Sequence, residues 1–428
     1  MHRPLTGRYT ERMNDFTRTI DAARVMARCD ALAQLSELPG GLTRVYLSEE
    51  QRKANELVLG WMREAGMQAS LDAIGNCAGR YEGDRPGLPC LMLGSHLDTV
   101  RDAGRYDGML GVITAIECVH ALNKAGRRLP FAIEVIGFAD EEGVRFGTTF
   151  LGSRAIAGTF KPEALDAVDK AGTRLADAMR GLGLDPARVG DAARKKGAVH
   201  AYAELHIEQG PVLEAAGLPV GVVTAINGAT RYNFTIEGMA GHAGTVPMSL
   251  RQDALAAAAE CVLAIEACGK GGADLVATVG KLEVMPGATN VIPGCVTFTL
   301  DLRSPRDADR EKAVAAVVAQ ISQICERRKV KVDAQKLHDE PVAVCAPWMQ
   351  EAIGAAIASE GVEVRRLPSG AGHDGMAMQA IADIGMLFVR CKSGISHNPA
   401  EKISEADAGL ATRVLARFIG NFAPRAAR

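Results

Sequence analysis

A strand, a helix and a second strand follow one another between residues 90 and 138, and this order constrains the fold more than any other feature of the chain. Residues 90–94 and 131–138 are short, mostly apolar runs, and residues 109–122 between them have helical spacing. Strands joined through a helix pair in parallel, with the helix packed on the sheet. The sequence therefore predicts an α/β fold with a mixed, mostly parallel sheet and helices on both faces.

The order of predicted strands and helices changes between residues 227 and 340. Strands are predicted at 230–237, 275–284, 295–302 and 330–335, with helices at 250–266 and 308–327. This β-α-β-β-α-β order is the ferredoxin-like, split βαβ arrangement. We therefore expect one discontinuous domain, residues 1–226 and 341–428, interrupted by an inserted α+β domain at 227–340.

Charge and composition exclude several classes of partner. Lys and Arg total 49 against 51 Asp and Glu, and no basic stripe is present, so neither nucleic acid nor a membrane surface is an expected partner. The charged N-terminal segment lacks the apolar core of a secretory signal, and no run of eighteen apolar residues occurs. The ten scattered cysteines form no C-x-x-C pair. We expect a soluble, cytoplasmic protein with reduced cysteines.

Residues of the kinds that bind metals follow the predicted strands. His96 comes after the first strand, Glu142 after the second, and His206 near the end of a third at 201–207. Open α/β sheets place their ligands at these strand ends. Asp107 directly precedes the predicted helix, and His397 follows another apolar run. Singly, each residue has an ordinary alternative explanation, such as a helix N-cap for the aspartate.

Taken together, the five residues suit a metal centre. Imidazole and carboxylate ligands suit Zn²⁺, with Mn²⁺, Co²⁺ and Ni²⁺ as competitors. Three histidines and two carboxylates are too many for one catalytic zinc with an open position, and they fit two divalent ions that share Asp107 as a bridge. Asp98 can hold the second ring nitrogen of His96. Because adjacent side chains diverge, Glu142 can bind a metal while Glu141 stays free as a base.

A glycine-rich loop offers a competing hypothesis. Residues 370–375 match G-x-G-x-x-G, the pattern of dinucleotide-binding loops. The loop lies far from the first strand and helix, and no acid follows about 20 residues later, so we favour a tight loop near substrate. Hydride transfer through this loop remains an alternative, which a lack of nicotinamide binding would exclude.

A series of motifs resembles the allantoate amidohydrolase and N-carbamoyl-L-amino acid hydrolase group, within the larger family of two-metal aminopeptidase- and aminoacylase-like enzymes. In chain order the motifs are GSHLDTV, YDGMLGV, FADEEGVRF, ELHIEQGPVLE, GHAGTVPM, NVIPG, LDLRS, SGAGHD and GISHNPAE. The resemblance extends from near residue 20 to the C-terminus.

The resemblance implies how the candidate ligands divide between two metal ions. One ion would be held by His96, Asp107 and His206, and the other by Asp107, Glu142 and His397. Asp98 would orient His96. Glu141 would be the general base, taking a proton from the attacking water and passing it to the leaving nitrogen.

The resemblance also implies a small ureido carboxylate as substrate and a homodimer. The inserted domain would serve as lid and dimerisation domain, and its His242 would reach the neighbouring subunit's substrate and stabilise the oxyanion. Arginine forks suit carboxylates. The substrate-binding positions implied are Gln209, Arg231, Asn290, Arg303, Gly370 and Gly372.

Several substrates fit the motifs. The run at residues 102–108 resembles that of bacterial allantoate enzymes more, which favours allantoate, hydrolysed with release of ammonia and carbon dioxide; N-carbamoyl-L-amino acids and N-carbamoyl-β-alanine are alternatives. A dipeptidase or N-acyl-amino acid hydrolase suits HIEQGPVLE and SGAGHD less well. A metal-binding relative without catalysis is a further alternative. Glu141 argues against it, because a pure binder needs the ligands but not the spare carboxylate.

Overall fold

The computed structural model describes residues 16–425, and the charged N-terminal segment considered above lies almost wholly outside this range. The chain divides into two compact units. The first comprises the chain up to Thr224, Cys345–Leu367 and the chain from His373 onward, and the second comprises Ala225–Val344 and Pro368–Gly372. Within residues 16–425 no helix combines the length and the apolar character that a membrane span needs.

The elements are numbered in chain order. The strands are β1 (Gln68–Leu71), β2 (Cys77–Tyr81), β3 (Cys90–His96), β4 (Ala132–Phe138), β5 (Val199–Ile207), β6 (Val220–Ile226), β7 (Gly228–Glu237), β8 (Gly241–His242), β9 (Val276–Thr278), β10 (Leu282–Met285), β11 (Val291–Ile292), β12 (Cys295–Ser304), β13 (Lys331–Glu340), β14 (Ala343–Val344), β15 (Arg366–Ser369) and β16 (Asp383–Val389). The α-helices are α1 (Ala22–Ala33), α2 (Glu49–Glu64), α3 (Met109–Lys124), α4 (Leu151–Ile156), α5 (Leu175–Gly181), α6 (Val212–Ala215), α7 (Ala254–Lys270), α8 (Asp307–Arg327), α9 (Pro347–Ser359), α10 (Gly375–Met378) and α11 (Glu405–Asn421).

The sheet of the first unit has a parallel centre and antiparallel flanks. Its strand order is β1-β2-β4-β3-β5-β16-β6. The pairs β4–β3, β3–β5 and β5–β16 are parallel, whereas β1–β2, β2–β4 and β16–β6 are antiparallel. The predicted α/β class with a mostly parallel central sheet is confirmed.

The register of the parallel strands decides where polar residues meet. His96, the last residue of β3, pairs with Phe138, the last residue of β4. Ile207 at the end of β5 likewise pairs with Val389 at the end of β16. The four strands therefore end together, and the residues that follow them gather at one edge of the sheet.

Helix α3 packs more deeply than its neighbours. Thirteen of its residues are buried, because it is apolar on almost every side. Gly111 lies against β5 so closely that a Cβ at this position would overlap the carbonyl oxygen of Leu205 and approach Ser95 Cβ to 2.8 Å. The close approach of this helix fixes the residues just before it at the strand ends.

The second unit has its own sheet and core. Strands β10, β12, β7 and β13 lie in that order and are antiparallel, and β9 also pairs with β12. The single strand predicted at 275–284 is wrong in detail, since β9 and β10 are separate. Residues 279–281 between them lie opposite only two residues of β12, 299 and 300, and the Lys281 N–H donates to the Thr299 hydroxyl instead of a backbone carbonyl. Helices α7 and α8 bury their apolar residues against this sheet.

We expect Gly111→Ala to lower the free energy of unfolding by about 1–3 kcal/mol, because the added methyl overfills a rigid contact with β5. Gly60→Ala is the matched control, since Gly60 also lies within a helix but has open space around it. That control should be neutral or stabilising by up to about 1 kcal/mol. Urea unfolding followed by circular dichroism measures both, and equal midpoints for the two variants would contradict the packing argument.

Candidate functional site

Asp107 lies at the centre of a buried polar cluster at the carboxyl edge of the parallel strands. Its Oδ1 is 3.6 Å from His96 Nε2 and 3.2 Å from His206 Nε2. Its Oδ2 is 3.1 Å from His397 Nε2, and that nitrogen is 3.5 Å from Glu142 Oε1. The structure thus brings together all five residues predicted as metal ligands, and each oxygen of Asp107 faces a different set.

Backbone carbonyls orient the two buried imidazoles. His96 Nδ1 lies 3.0 Å from the carbonyl oxygen of Asp98, and His206 Nδ1 lies 2.9 Å from that of Ile207. Because a carbonyl only accepts hydrogen bonds, both Nδ1 atoms carry a proton, and in the neutral form of each ring Nε2 has a lone pair available for a metal ion on the side of Asp107. This arrangement is typical of histidines that bind metals.

The carboxylate of Asp98 has a different contact from the one expected. Its Oδ1 is 3.8 Å from His96 Nδ1, too far for a hydrogen bond, and the backbone carbonyl of Asp98 fills that position instead. The carboxylate accepts the backbone N–H groups of Glu141 and Glu142, each at 3.1 Å. Asp98 therefore holds His96 through its backbone and the acidic turn through its side chain.

Unusual backbone conformations concentrate at this edge. Asp140, Gln209 and His397 have φ of 53°, 57° and 53°, in the left-handed region that non-glycine residues seldom adopt. Gly108 has φ of 74°, and a Cβ there would press against the His96 ring. Such conformations cost about 1–3 kcal/mol each and are typical of functional sites.

The cluster carries more negative charge than its protein contacts neutralise. Burial, reinforced by Asp107, raises the pKa of Glu142 to about 7, and burial also raises the pKa of Glu141 well above its ordinary value. Burial opposes ionisation of Asp107 as well, but the three imidazoles that face it, when protonated, hold its pKa well below the ordinary value. Buried carboxylates at this density need cations.

The donor atoms fit metal ions. Within residues 16–425, Asp107 Oδ1 and His206 Nε2 are buried without a hydrogen bond of good geometry. The ligand atoms of His96, Asp107 and His206 lie within 4.8 Å of one another, and so do those of Asp107, Glu142 and His397. Orphaned buried donors and a mixed imidazole and carboxylate set are what a pair of divalent ions requires. These residues can hold two such ions.

Gln209 lies inside this cluster. Its Nε2 donates to Asp107 Oδ2 at 3.1 Å and to Ser396 Oγ at 3.1 Å, and lies 3.3 Å from His397 Nε2. The sequence predicted that Gln209 contacts substrate. In the structure its side-chain amide contacts the candidate metal ligands Asp107 and His397 directly.

Two pairs of residues at the site were missed from the sequence. His373 and Asp374 lie within the glycine-rich loop and are 1% and 0% exposed, and the centroid of the His373 ring lies 4.4 Å from that of the His206 ring. Ser396 and Glu401 lie on either side of His397. Ser396 donates to the Asp107 carboxylate, and Glu401 accepts the backbone N–H of Tyr106. All four lie within motifs that the sequence displays, SGAGHD and GISHNPAE. Apolar periodicity does not reveal these four residues. Only their position next to glycines or to a candidate ligand in the sequence could have indicated them.

In the second unit, two predicted arginines share one carboxylate. Arg231 Nε donates to Asp301 Oδ2 at 2.9 Å, and Arg303 donates to both oxygens of Asp301 at 2.8 and 3.0 Å. Arg303 Nη1 also donates to the carbonyl oxygen of Gly370 at 2.7 Å. These four residues, with Tyr232, line a cavity of about 530 Å³.

His242 and Asn290 lie side by side in a short ribbon of the same unit. Strands β8 and β11 pair His242 with Val291, and Ala243 N–H donates to the Asn290 carbonyl at 2.9 Å. Both side chains are exposed. The Nδ1 of His242 accepts the Gly244 N–H at 3.0 Å, which leaves Nε2 directed away from its own turn.

Comparison with known proteins places the chain. Residues 92–421 match the model of Peptidase family M20/M25/M40. The chain is 44% identical to an N-carbamoyl-L-amino acid amidohydrolase of Geobacillus stearothermophilus, over 92% of this chain and 97% of the relative. It is 41% identical to allantoate deiminase 1 of Glycine max, over 94% and 90%. A crystal structure of an amidase of the hydantoinase/carbamoylase family from Burkholderia multivorans has a TM-score of 0.88 at 32% identity, covering 94% of this chain and 97% of that one.

The chain therefore belongs to Peptidase family M20/M25/M40. The resemblance to carbamoyl-hydrolysing amidohydrolases inferred from the motifs is confirmed, since both relatives and the solved amidase cover nearly the whole chain.

The charge of the cluster should make the stability of the metal-free protein depend on pH. Because the folded-state pKa of Glu142 is about 7 against an ordinary 4.5, its contribution to stability is lost as pH rises between these values. Glu142→Gln should stabilise the metal-free protein at pH 8 by on the order of 1–3 kcal/mol and have little effect at pH 4.5.

Urea unfolding in the presence of a chelator at both pH values measures this difference. Glu163→Gln, at an exposed position in a 3₁₀ turn, is the control and should change stability at neither pH. A stability gain for Glu142→Gln that is the same at pH 4.5 and pH 8 would show that charge is not its cause.

Proposed function

We propose that this protein hydrolyses the ureido C–N bond of N-carbamoyl carboxylic acids, with allantoate as its preferred substrate. The observation that carries the proposal is Asp107, whose two oxygens face two separate sets of metal-binding donors. The names of the relatives, N-carbamoyl-L-amino acid amidohydrolase and allantoate deiminase, support the ureido group as the point of attack. N-carbamoyl-L-amino acids are the second candidate substrates, because the relative at 44% identity carries that name.

Two divalent ions, most simply zinc, form the proposed centre. His96, Asp107 and His206 would hold one, and Asp107, Glu142 and His397 the other. The donor types favour Zn²⁺, with Mn²⁺, Co²⁺ and Ni²⁺ as competitors. When bound, such ions polarise a substrate carbonyl and lower the pKa of a water to about 7.

Glu141 is the proposed general base. It is 7% exposed, and its carboxylate lies beside the ligands, with ligand atoms of His96, Glu141 and Glu142 within 4.8 Å of one another. Burial raises its pKa, which makes the carboxylate a stronger base than an exposed glutamate. Glu141 takes a proton from the water that attacks the carbamoyl carbon and gives it to the leaving nitrogen. One water thereby divides the ureido group into an amine and carbamic acid, which breaks down to ammonia and carbon dioxide.

Arg231 and Arg303 are proposed to bind the substrate carboxylate. Asp301 accepts three of their N–H groups, so the trio carries one net positive charge and still has free guanidinium donors. A single positive charge matches a single carboxylate, as in allantoate. Gln209, Asn290 and the backbone of Gly370 and Gly372 are the remaining proposed substrate contacts.

A homodimer formed through the inserted domain, at residues 227–340, completes the proposal. Exposed apolar side chains that would be covered in a dimer support it, and they are Met239, Met248, Leu250, Leu263 and Met285. His242 would stabilise the oxyanion on the partner subunit's substrate. We place the reaction in the cytoplasm, which is consistent with ten cysteines that form no disulfide.

Ammonia release from metal-reconstituted protein tests the substrate class. We expect the highest kcat/KM for allantoate, lower values for N-carbamoyl-L-alanine and N-carbamoyl-β-alanine, and lower still for N-carbamoyl-L-aspartate, whose second carboxylate finds no matching charge. A simple dipeptide gives two amino acids and no ammonia, so its cleavage is followed by the release of free amino acids, and it should be hydrolysed least. Equal, negligible rates on every ureido acid would exclude the substrate class, and faster dipeptide cleavage would favour a peptidase.

Glu141→Gln should retain both metal ions and lose at least about 100-fold in kcat, because the base is removed while the ligands remain. His206→Ala should lose metal itself, as measured by elemental analysis after dialysis. Glu117→Gln is the control, since Glu117 is also buried but pairs with Arg24 away from the cluster. Near wild-type turnover in Glu141→Gln would show that another group is the base.

Mixing two inactive variants tests the role of His242 across the dimer. If His242 acts on the partner's substrate, co-refolded Glu141→Gln and His242→Ala chains should recover about a quarter of wild-type activity, because half the dimers are mixed and one site in each is intact. Each variant refolded alone is the control. Failure to recover activity, with mixed dimers verified by differential tags, would place His242 within its own subunit's site.

A further inference from the structure

Glu401 contacts the backbone next to the bridging aspartate from the far end of the chain. Its Oε1 accepts the backbone N–H of Tyr106 at 2.8 Å and of Asp107 at 3.2 Å. The residue is 4% exposed. A glutamate 294 positions further along the chain therefore fixes the backbone from which the Asp107 side chain projects.

The other oxygen of Glu401 ties in the loop that carries His397. Ser396 Oγ lies 3.0 Å from Glu401 Oε2 and 3.2 Å from Asp107 Oδ2. Because a hydroxyl has one proton to donate, Ser396 shares it between the two carboxylates. A hydrogen-bond network of Glu401, Ser396 and Asp107 thus joins the segments that carry two candidate ligands, Asp107 and His397.

The segment before α3 depends on this external contact. Helix α3 begins at Met109, and its N-cap residue, Gly108, has no side chain that could cap the helix. The chain at Gly104 wraps so closely around Glu401 that a Cβ there would overlap the carboxyl group. Burying a carboxylate is costly, and here the cost is offset by two backbone donors and one hydroxyl.

We propose that Glu401 is a positioning residue, which holds Asp107 so that each of its oxygens faces one set of metal ligands. The inference rests on the proposed two-metal centre. It assigns to Glu401 no contact with metal or substrate. Its effect passes through the backbone of Asp107 and through Ser396. Groups that orient a metal ligand in this way typically contribute about 10–100-fold to metal affinity.

The test measures zinc affinity directly, by competition with a chromophoric chelator on protein freed of metal. Glu401→Ala should bind both ions about 10–100-fold more weakly, because Asp107 serves both. Glu401→Gln should recover most of the affinity, since its amide oxygen can still accept the two backbone N–H groups. Gly104→Ala gives the same disturbance by a second route, displacing the carboxyl group without removing it.

Glu117→Ala is the matched control for a merely structural effect. Glu117 is 0% exposed, and it also accepts a backbone N–H from a distant segment, that of Asp21 at 3.0 Å. Its removal should lower the melting temperature and leave zinc affinity unchanged. If Glu401→Ala behaves in the same way, the positioning role is wrong. If Glu401→Ala does not fold, unchanged zinc affinity in Gly104→Ala would equally contradict the positioning role. Wild-type protein that binds fewer than two ions would contradict the proposed metal centre instead.

Discussion

The attraction between Asp107 and the three imidazoles around it organises the first unit of this protein. One oxygen faces His96 and His206, and the other faces His397. Burial opposes the ionisation of Asp107, and the imidazoles overcome that opposition. For the neighbouring Glu141 and Glu142 burial prevails over the imidazoles and raises the pKa, so the site as a whole is built for added positive charge.

The sheet makes this concentration of charge possible. Parallel strands that end in register bring residues from distant parts of the chain to one edge, which antiparallel neighbours would have placed at opposite edges. Because α3 packs closely on the sheet, it also determines how near Asp107, two residues before the helix, lies to that edge. Gly111 and Gly108 permit the close packing, because a side chain at either position would meet β5 or the His96 ring.

In the second unit, one carboxylate is shared by two arginines, Arg231 and Arg303. Arg231 and Arg303 lie on neighbouring strands and would repel one another without Asp301, which pairs with Arg231 across the β12–β7 ladder. The shared carboxylate holds both guanidinium groups in place and halves their charge. In the proposed function, selection of a substrate with one carboxylate would be a property of the trio and not of either arginine alone.

Much of the architecture could be predicted from local pattern. The helix that begins after Ser48, the helix α3 and the central strands follow from capping residues, apolar periodicity and short apolar runs, all of which act between near neighbours. The break between β9 and β10 could not, because it depends on a bond between Lys281 and a residue of another strand.

The sequence by itself determined the chemical types available at the site, since five imidazole and carboxylate residues, three of them at predicted strand ends, already indicate metals. Only the tertiary structure decided how they are held. The Asp98 carbonyl, not its carboxylate, orients His96, because strand geometry directs the side chain toward the acidic turn. Glu401 reaches the backbone of Asp107 across 294 positions of chain, and a contact of that kind leaves no periodic trace in the sequence.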